Sequence, residues 1–180
     1  MIFRETELPG CYLIEPDLIE DARGFFARTF DAEEFRRRGM NPRVAQSSIS
    51  HNRRAGTLRG LHYQAAPHQE AKLIRCLSGR VFDVVVDLRL DLPTYLDWQS
   101  FELNSENRTA VYVPEGLAHG FLTLADDSDV VYQISASYEP TASRGVRWDD
   151  PALHISWPTS PTRISACDAG WPLIRDVSHG

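Results

Sequence analysis

The segment Gly56-Thr57-Leu58-Arg59-Gly60-Leu61-His62-Tyr63-Gln64 sets a guanidinium, an imidazole, a phenol and a carboxamide into a strand-like run flanked by glycines. Such groups are costly to bury unpartnered, so the run points to a purpose beyond packing. Strict alternation sends Arg59 and His62 to opposite faces of a strand; joint action requires a bulge, and Gly60 is a place where the chain can make one. A second cluster, Pro114-Glu115-Gly116-Leu117-Ala118-His119-Gly120-Phe121, is a tight turn delivering His119 at the start of a strand. A third runs from Val131-Tyr132 to Ser137-Tyr138, where Tyr132 and Tyr138 share strand parity. A single histidine or tyrosine in such a strand is ordinarily a core residue; several around one lysine are not.

That lysine is Lys72, which stands alone against 18 arginines. One reading is a genome-driven preference for arginine with Lys72 as a leftover. The other is that this position needs a compact ammonium whose pKa can be tuned, which guanidinium cannot supply. His62, His68, Glu70 and His119 also allow a metal-binding reading. However, His62 and His68 lie six residues apart instead of forming a His-x-His pair, so a facial ligand set would depend on loop geometry. No metal is expected.

The elements that must position these groups are short. Runs rich in Val, Ile, Leu, Phe and Tyr, at Arg80–Leu88, Trp98–Leu103, Thr109–Val113 and Val130–Tyr138, alternate with Gly, Pro, Asn and Asp. One helix is expected near Asp31–Arg38, with Asp31 as its cap, Glu34 completing a capping box and Gly39 as its stop. Many strands without regular helical crossovers imply a sandwich or barrel. Within Arg80–Leu88, alternation groups Phe82, Val84 and Val86 on one face against Asp83, Val85 and Asp87 on the other. Asp83 is assigned to the barrel interior and Asp87 to a solvated outer face.

A chain of 180 residues fits one domain, residues 1–180, with a core that needs no disulfide or metal. Its net charge of −6, with no basic run beyond Arg36-Arg37-Arg38, argues against a nucleic-acid partner. The start Met-Ile-Phe-Arg-Glu-Thr-Glu lacks the pattern of a signal peptide, and no window reaches membrane-span length, so a cytoplasmic protein without a membrane partner is expected. Cys11, Cys76 and Cys167 form no Cys-x-x-Cys pair, and reduced thiols are expected. The Pro-, Ser- and Asp-rich tail from about Trp157 is expected to wrap over the barrel and to fray at its last residues.

Read in order, LRGLHYQ, QEAKLIRCLSGRVFDVVVDLR, YVPEGLAHGF, VVYQIS, WDDPALHISWP and ISACD, preceded by Asp21-Ala22-Arg23-Gly24-Phe25-Phe26, resemble the dTDP-4-dehydrorhamnose 3,5-epimerase family over nearly the whole chain. The resemblance implies a mostly β, cupin-type jelly-roll barrel with a few short helices, a homodimer exchanging N-terminal strands, and neither metal nor organic cofactor. It puts the general base on His62, its carboxylate partner on Asp168, the ammonium for the sugar's C4 oxygen on Lys72 and the general acid on Tyr132. Arg59 and His119 match pocket positions, and Asp83 matches a polar residue near the base. Gln46 matches a nucleobase contact, and Arg23 and Phe26 match residues lent across the dimer to the nucleotide. Phe26 or Tyr138 could stack on that nucleobase or simply be core.

The implied chemistry suits these residue types. A ketone at C4 acidifies the hydrogens at C3 and C5, so inversion needs only deprotonation on one face and reprotonation on the other. Histidine with a carboxylate on its second nitrogen serves the first step. An ammonium stabilises the enolate oxygen, and a tyrosine whose pKa the site lowers serves the last step. Arginine forks suit the diphosphate. The chain departs from the usual family pattern at Gln46–Asn52, at Ser143 where an acid is frequent, and at Cys167 where lysine is frequent. These departures bear on the nucleotide and keep open a C3-only or C5-only epimerase, or another nucleotide. A metal-dependent cupin enzyme and a non-catalytic sugar-nucleotide-binding barrel are the remaining alternatives.

Overall fold

The apolar runs become short strands in the computed structural model, which describes residues 1–176. An antiparallel pair, β1 (Ile2–Glu5) and β2 (Tyr12–Glu15), is followed by a separate two-stranded ribbon of β3 (Ile19–Asp21) and β4 (Gly24–Phe26). After helix α1 (Ala32–Arg37) come β5 (Gln46–Asn52), β6 (Thr57–Gln64), β7 (Lys72–Ser78) and β8 (Arg80–Asp87). Next are β9 (Trp98–Asn104), β10 (Ala110–Val113), β11 (Leu117–Thr123), β12 (Ser128–Ile134), β13 (Ser143–Gly145) and β14 (Arg163–Ile164), and then helix α2 (Ala166–Ala169). The expected fraying of the last residues falls mainly on 177–180, outside the described residues.

Two sheets make the barrel. One has the order β1-β2-β10-β7-β12-β5 and the other β13-β6-β11-β8-β9, with β14 added parallel to β6. This is a jelly roll of the cupin type. Between the sheets lies a core of Ile74, Val81, Val85, Leu103, Val111, Phe121 and Val130. Helix α1 seals one flank through Phe35, which packs edge-on against Phe3, Phe30 and Tyr112. Asp31 caps it by accepting from the amides of Glu33 and Glu34, and Gly39 follows at φ +72. The second half of the expected capping box is absent: the Glu34 carboxylate binds Arg37 and Arg38 instead.

Two assignments are corrected. Asp87 is fully buried, taking a two-point contact from Arg89 (2.9 and 2.6 Å) and a hydroxyl from Thr94 (2.7 Å). From Asp83 to Asp87, β8 is buried on both faces. Val85 faces the barrel core, while Phe82, Val84 and Val86 pack under Leu153, Ile155 and Trp157 of the C-terminal segment. The cover on this face begins before Trp157, at Leu153, and includes Ile174. Strand β12 ends at Ile134, so Tyr138 sits on the following loop, 61% exposed, and does not share a strand with Tyr132.

Candidate active site

Strands β6 and β11 pair His62 with His119, but two residues along β11 Phe121 faces Arg59, three residues back on β6. The extra residue is a bulge, and it cancels the alternation that would have separated Arg59 from His62. Gly60 allows it: φ is +141, and a Cβ there would lie 2.6 Å from Gly120 Cα. A Cβ on Gly120 would lie 2.7 Å from the Arg59 carbonyl oxygen, so the two strands touch backbone to backbone. Both Arg59 and His62 line a cavity of about 450 Å³ at the open end of the barrel.

Gln46, Lys72, His119, Tyr132 and Tyr138 share this cavity, on β5, β7, β11, β12 and the loop after β12. Asp168 stands behind His62 on α2. There Ser165 Oγ accepts from the Asp168 amide at 3.0 Å, and Asp168 Oδ1 lies 2.6 Å from His62 Nε2. Burial opposes ionisation of this carboxylate, but contacts with His62, Ser165 and Trp171 outweigh it and hold its pKa below the usual value. Ionised Asp168 can only accept, so His62 Nε2 carries the proton and Nδ1 is the basic nitrogen. A second such pair lies deeper: His119 Nε2 is 2.7 Å from Asp83 Oδ2, both buried. Burial pushes the Asp83 pKa upward against the pull of His119, and its Oδ1 is buried without a partner among the described residues.

Lys72 is buried, its Nζ 3.0 Å from Glu70 Oε1 and 3.1 Å from the His62 carbonyl oxygen. Tyr132 stands edge-on to His119, with ring centroids 6.0 Å apart. Its phenol is shifted opposite to expectation: burial raises its pKa, the Asp83 charge adds to this, and Arg59 only partly offsets them. Tyr132 is therefore a neutral donor, and no lowered pKa assists it. The Arg59 Nε donates to Asn52 Oδ1 at 2.8 Å, which aims the remainder of the guanidinium. Gln46 Oε1 accepts from the Tyr138 amide at 2.9 Å.

Arg23 and Phe26 are not brought to this cavity. Arg23 sits at the tip of the β3–β4 ribbon, its side chain 90% exposed and paired with Asp21; Phe26 is exposed on the same ribbon. His62, Glu70 and His119 line this cavity and His68 does not; among the described residues no group of three or more His, Cys, Asp or Glu side chains is placed to hold a metal ion.

Sequence reasoning passed over two residues. In the sequence Glu70 reads only as a metal ligand, and its position two residues before Lys72 is the signal of its pairing. Trp171 donates from Nε1 to Asp168 Oδ1 at 3.3 Å and packs edge-on to His62. Its place three residues after Asp168 gave the only hint. Gly145 makes room for it, since a Cβ there would fall 2.3 Å from the indole ring.

Fold and cavity together define a cupin-type barrel fitted with proton-transfer groups. The chain belongs to the dTDP-4-dehydrorhamnose 3,5-epimerase family, whose sequence model matches residues 5–176, and it is an isomerase of that class. A dTDP-4-dehydrorhamnose 3,5-epimerase from Sinorhizobium fredii is 40% identical over 178 residues, covering 98% of this chain and 91% of the relative. The enzyme of that name from Bacillus anthracis, solved with TDP and PPi bound, superposes with a TM-score of 0.92 at 38% identity, over 96% of this chain and 99% of that one. A dTDP-4-dehydrorhamnose 3-epimerase from Streptomyces niveus is 38% identical over 98% of this chain and 86% of its own length.

Proposed function

We propose that the protein inverts C3 and C5 of a dTDP-linked 4-keto-6-deoxy sugar by proton removal and return through an enolate. The observation that carries this reading is the 2.6 Å contact of His62 Nε2 with an ionised Asp168, which leaves Nδ1 as a base in a cavity shared with Lys72 and Tyr132. His62 takes the proton from carbon, and the electron pair moves into the C4 carbonyl, whose oxygen meets the Lys72 ammonium. Tyr132 returns a proton to the opposite face and is then reprotonated from solvent, to which His62 releases the proton it took; Arg59, which favours the ionised form of Tyr132, steadies the transient phenolate. Asp83 orients His119 beside it. The free part of the Arg59 guanidinium suits a phosphate oxygen. Gln46 and Tyr138, at the exposed rim, suit the nucleobase.

Arg23 and Phe26 belong to this reading as residues lent by a second copy. The β3–β4 ribbon exposes Ile19 and Phe26, paired across its strands on one face, and Phe25 on the other, apolar surface that a partner's barrel would cover. We accordingly propose a homodimer in which this ribbon completes the neighbour's site, with residues 1–180 acting as one domain. The three free thiols fit the cytoplasm.

The test is hydrogen exchange. Chelator-treated protein with dTDP-4-keto-6-deoxyglucose in D2O should incorporate deuterium at both C3 and C5, followed by NMR. His62→Ala should abolish exchange at C3, and Tyr132→Phe should slow reprotonation, most at C5. Ordinary C3 exchange in a folded His62→Ala protein would refute the assignment. The 3-epimerase relative supports a second reading, inversion at C3 alone, which deuterium confined to C3 would establish.

A further inference from the structure

Lys72 is not the only charge where the enolate oxygen would form. Glu70 lines the same cavity, and its side chain and that of Lys72 are 10% and 9% exposed, a buried ion pair set two residues apart at the start of β7. An ammonium has three N–H donors. Here one meets Glu70 Oε1 at 3.0 Å and one the His62 carbonyl oxygen at 3.1 Å, which leaves the third for the cavity that Lys72 lines. Lysine's four-carbon stem does not fix a direction by itself. The carbonyl of His62 supplies one anchor and Glu70 the second, and two anchors determine where the third donor points.

We propose that Glu70 is a positioning residue of the reaction: its carboxylate holds the Lys72 ammonium with one N–H directed at the substrate's C4 oxygen. This rests on the assignment of Lys72 to that oxygen. It goes further in making the direction of the ammonium a property of a second residue. Misplacement of a stabilising group by about 1 Å can cost on the order of 10²-fold in rate, and the donor matters more to the enolate than to the ketone, so the loss should fall on kcat and not on KM.

The experiment is a double-mutant cycle on kcat and KM, with dTDP affinity measured by calorimetry on each protein to count folded sites. Glu70→Ala should lower kcat per dTDP-binding site roughly 30- to 100-fold while KM changes less than about 3-fold. Glu70→Gln keeps a carbonyl oxygen within reach of Nζ and should recover to within about 5-fold of the native kcat. In the Lys72→Ala background Glu70→Ala should cost less than about 2-fold more, because its effect passes through the lysine. Should Glu70→Ala lose dTDP binding, Glu70→Asp takes its place, keeping the charge but withdrawing it by one carbon, about 1.5 Å, with an expected kcat loss of about 10-fold. Native kcat in Glu70→Ala or in Glu70→Asp, or full additivity with Lys72→Ala, would overturn the proposal while leaving Lys72 in place. Native kcat in Lys72→Ala would instead remove the assignment beneath it.

Discussion

At Asp168 burial works against ionisation, and the bonds from His62, Ser165 and Trp171 overcome it. A carboxylate depressed in the folded state stabilises the protein above its unfolded pKa of about 3.9, and that contribution is lost as pH falls through the lower folded value. The thermal-stability advantage of the native protein over Asp168→Asn should therefore be full at pH 5 and above and shrink toward pH 3, as followed by calorimetry. Activity should fall at least ~10²-fold in the same variant, because an amide does not hold the imidazole in its basic tautomer as a carboxylate does. Tyr132 carries the opposite shift. With its pKa raised by burial, its ionisation should cause no loss in the kcat/KM profile below about pH 10. His62 and Tyr132 stood out in the sequence as polar groups in strand-like runs and Lys72 as the single lysine, while their roles came from the family resemblance. The direction of the Tyr132 shift was not legible, since it depends on burial and on Asp83, which approaches from another strand. Trp171 was missed for the same reason, as its partner His62 is distant along the chain.

Between the residues and the barrel, the decisive device is the contact of Gly60 with Gly120. Any side chain at Gly60 meets a left-handed φ of +141 and a backbone atom 2.6 Å away, so neither rotamer choice nor side-chain repacking relieves it. Gly60→Ala should cost roughly 2–4 kcal/mol through backbone strain and overpacking, or about 4–16 °C in Tm for a chain of this length. Its loss of activity should exceed that of an equally destabilised core variant, because straightening β6 returns Arg59 and His62 to opposite faces; thermal melts alongside kcat/KM separate the two effects. This bulge was legible, because two functional side chains three residues apart demanded it and a glycine lay between them. The environment of Asp87 was not. Alternation along β8 sorts its residues into two faces, and of Asp83 and Asp87 only the latter is assigned to water. In the folded chain the C-terminal segment covers one face and the core covers the other, so Asp87 had to find Arg89 and Thr94. The loop carrying Tyr138 was misread as strand because Ser135-Ala136-Ser137 breaks neither the polarity nor the spacing of β12.

For the whole molecule, the placement of Arg23 and Phe26 is the feature that a single chain does not explain. Both stand on a ribbon that makes no contact with the cavity, and the ribbon presents Ile19, Phe25 and Phe26 to its surroundings, with Arg108 stacked 4.6 Å from the Phe25 ring. If the ribbon reaches a neighbour's cavity, His62 and Arg23 of one functional site come from different chains, and this has a consequence that a monomeric site lacks. Arg23→Ala and His62→Ala should each be strongly impaired alone. Mixed in equal amounts and allowed to exchange subunits, they form mixed dimers in which one site pairs a mutant ribbon with a mutant base and is dead. The other site receives native Arg23 and retains native His62. With random exchange, half of the dimers are mixed and each carries one intact site, so about a quarter of native activity should return. The recovery should rise with time at the rate of subunit exchange and be absent when either variant is omitted. A mixture that stays at the sum of its parts, although light scattering shows dimers and a tagged copy shows exchange, would assign Arg23 to its own chain or to no site at all.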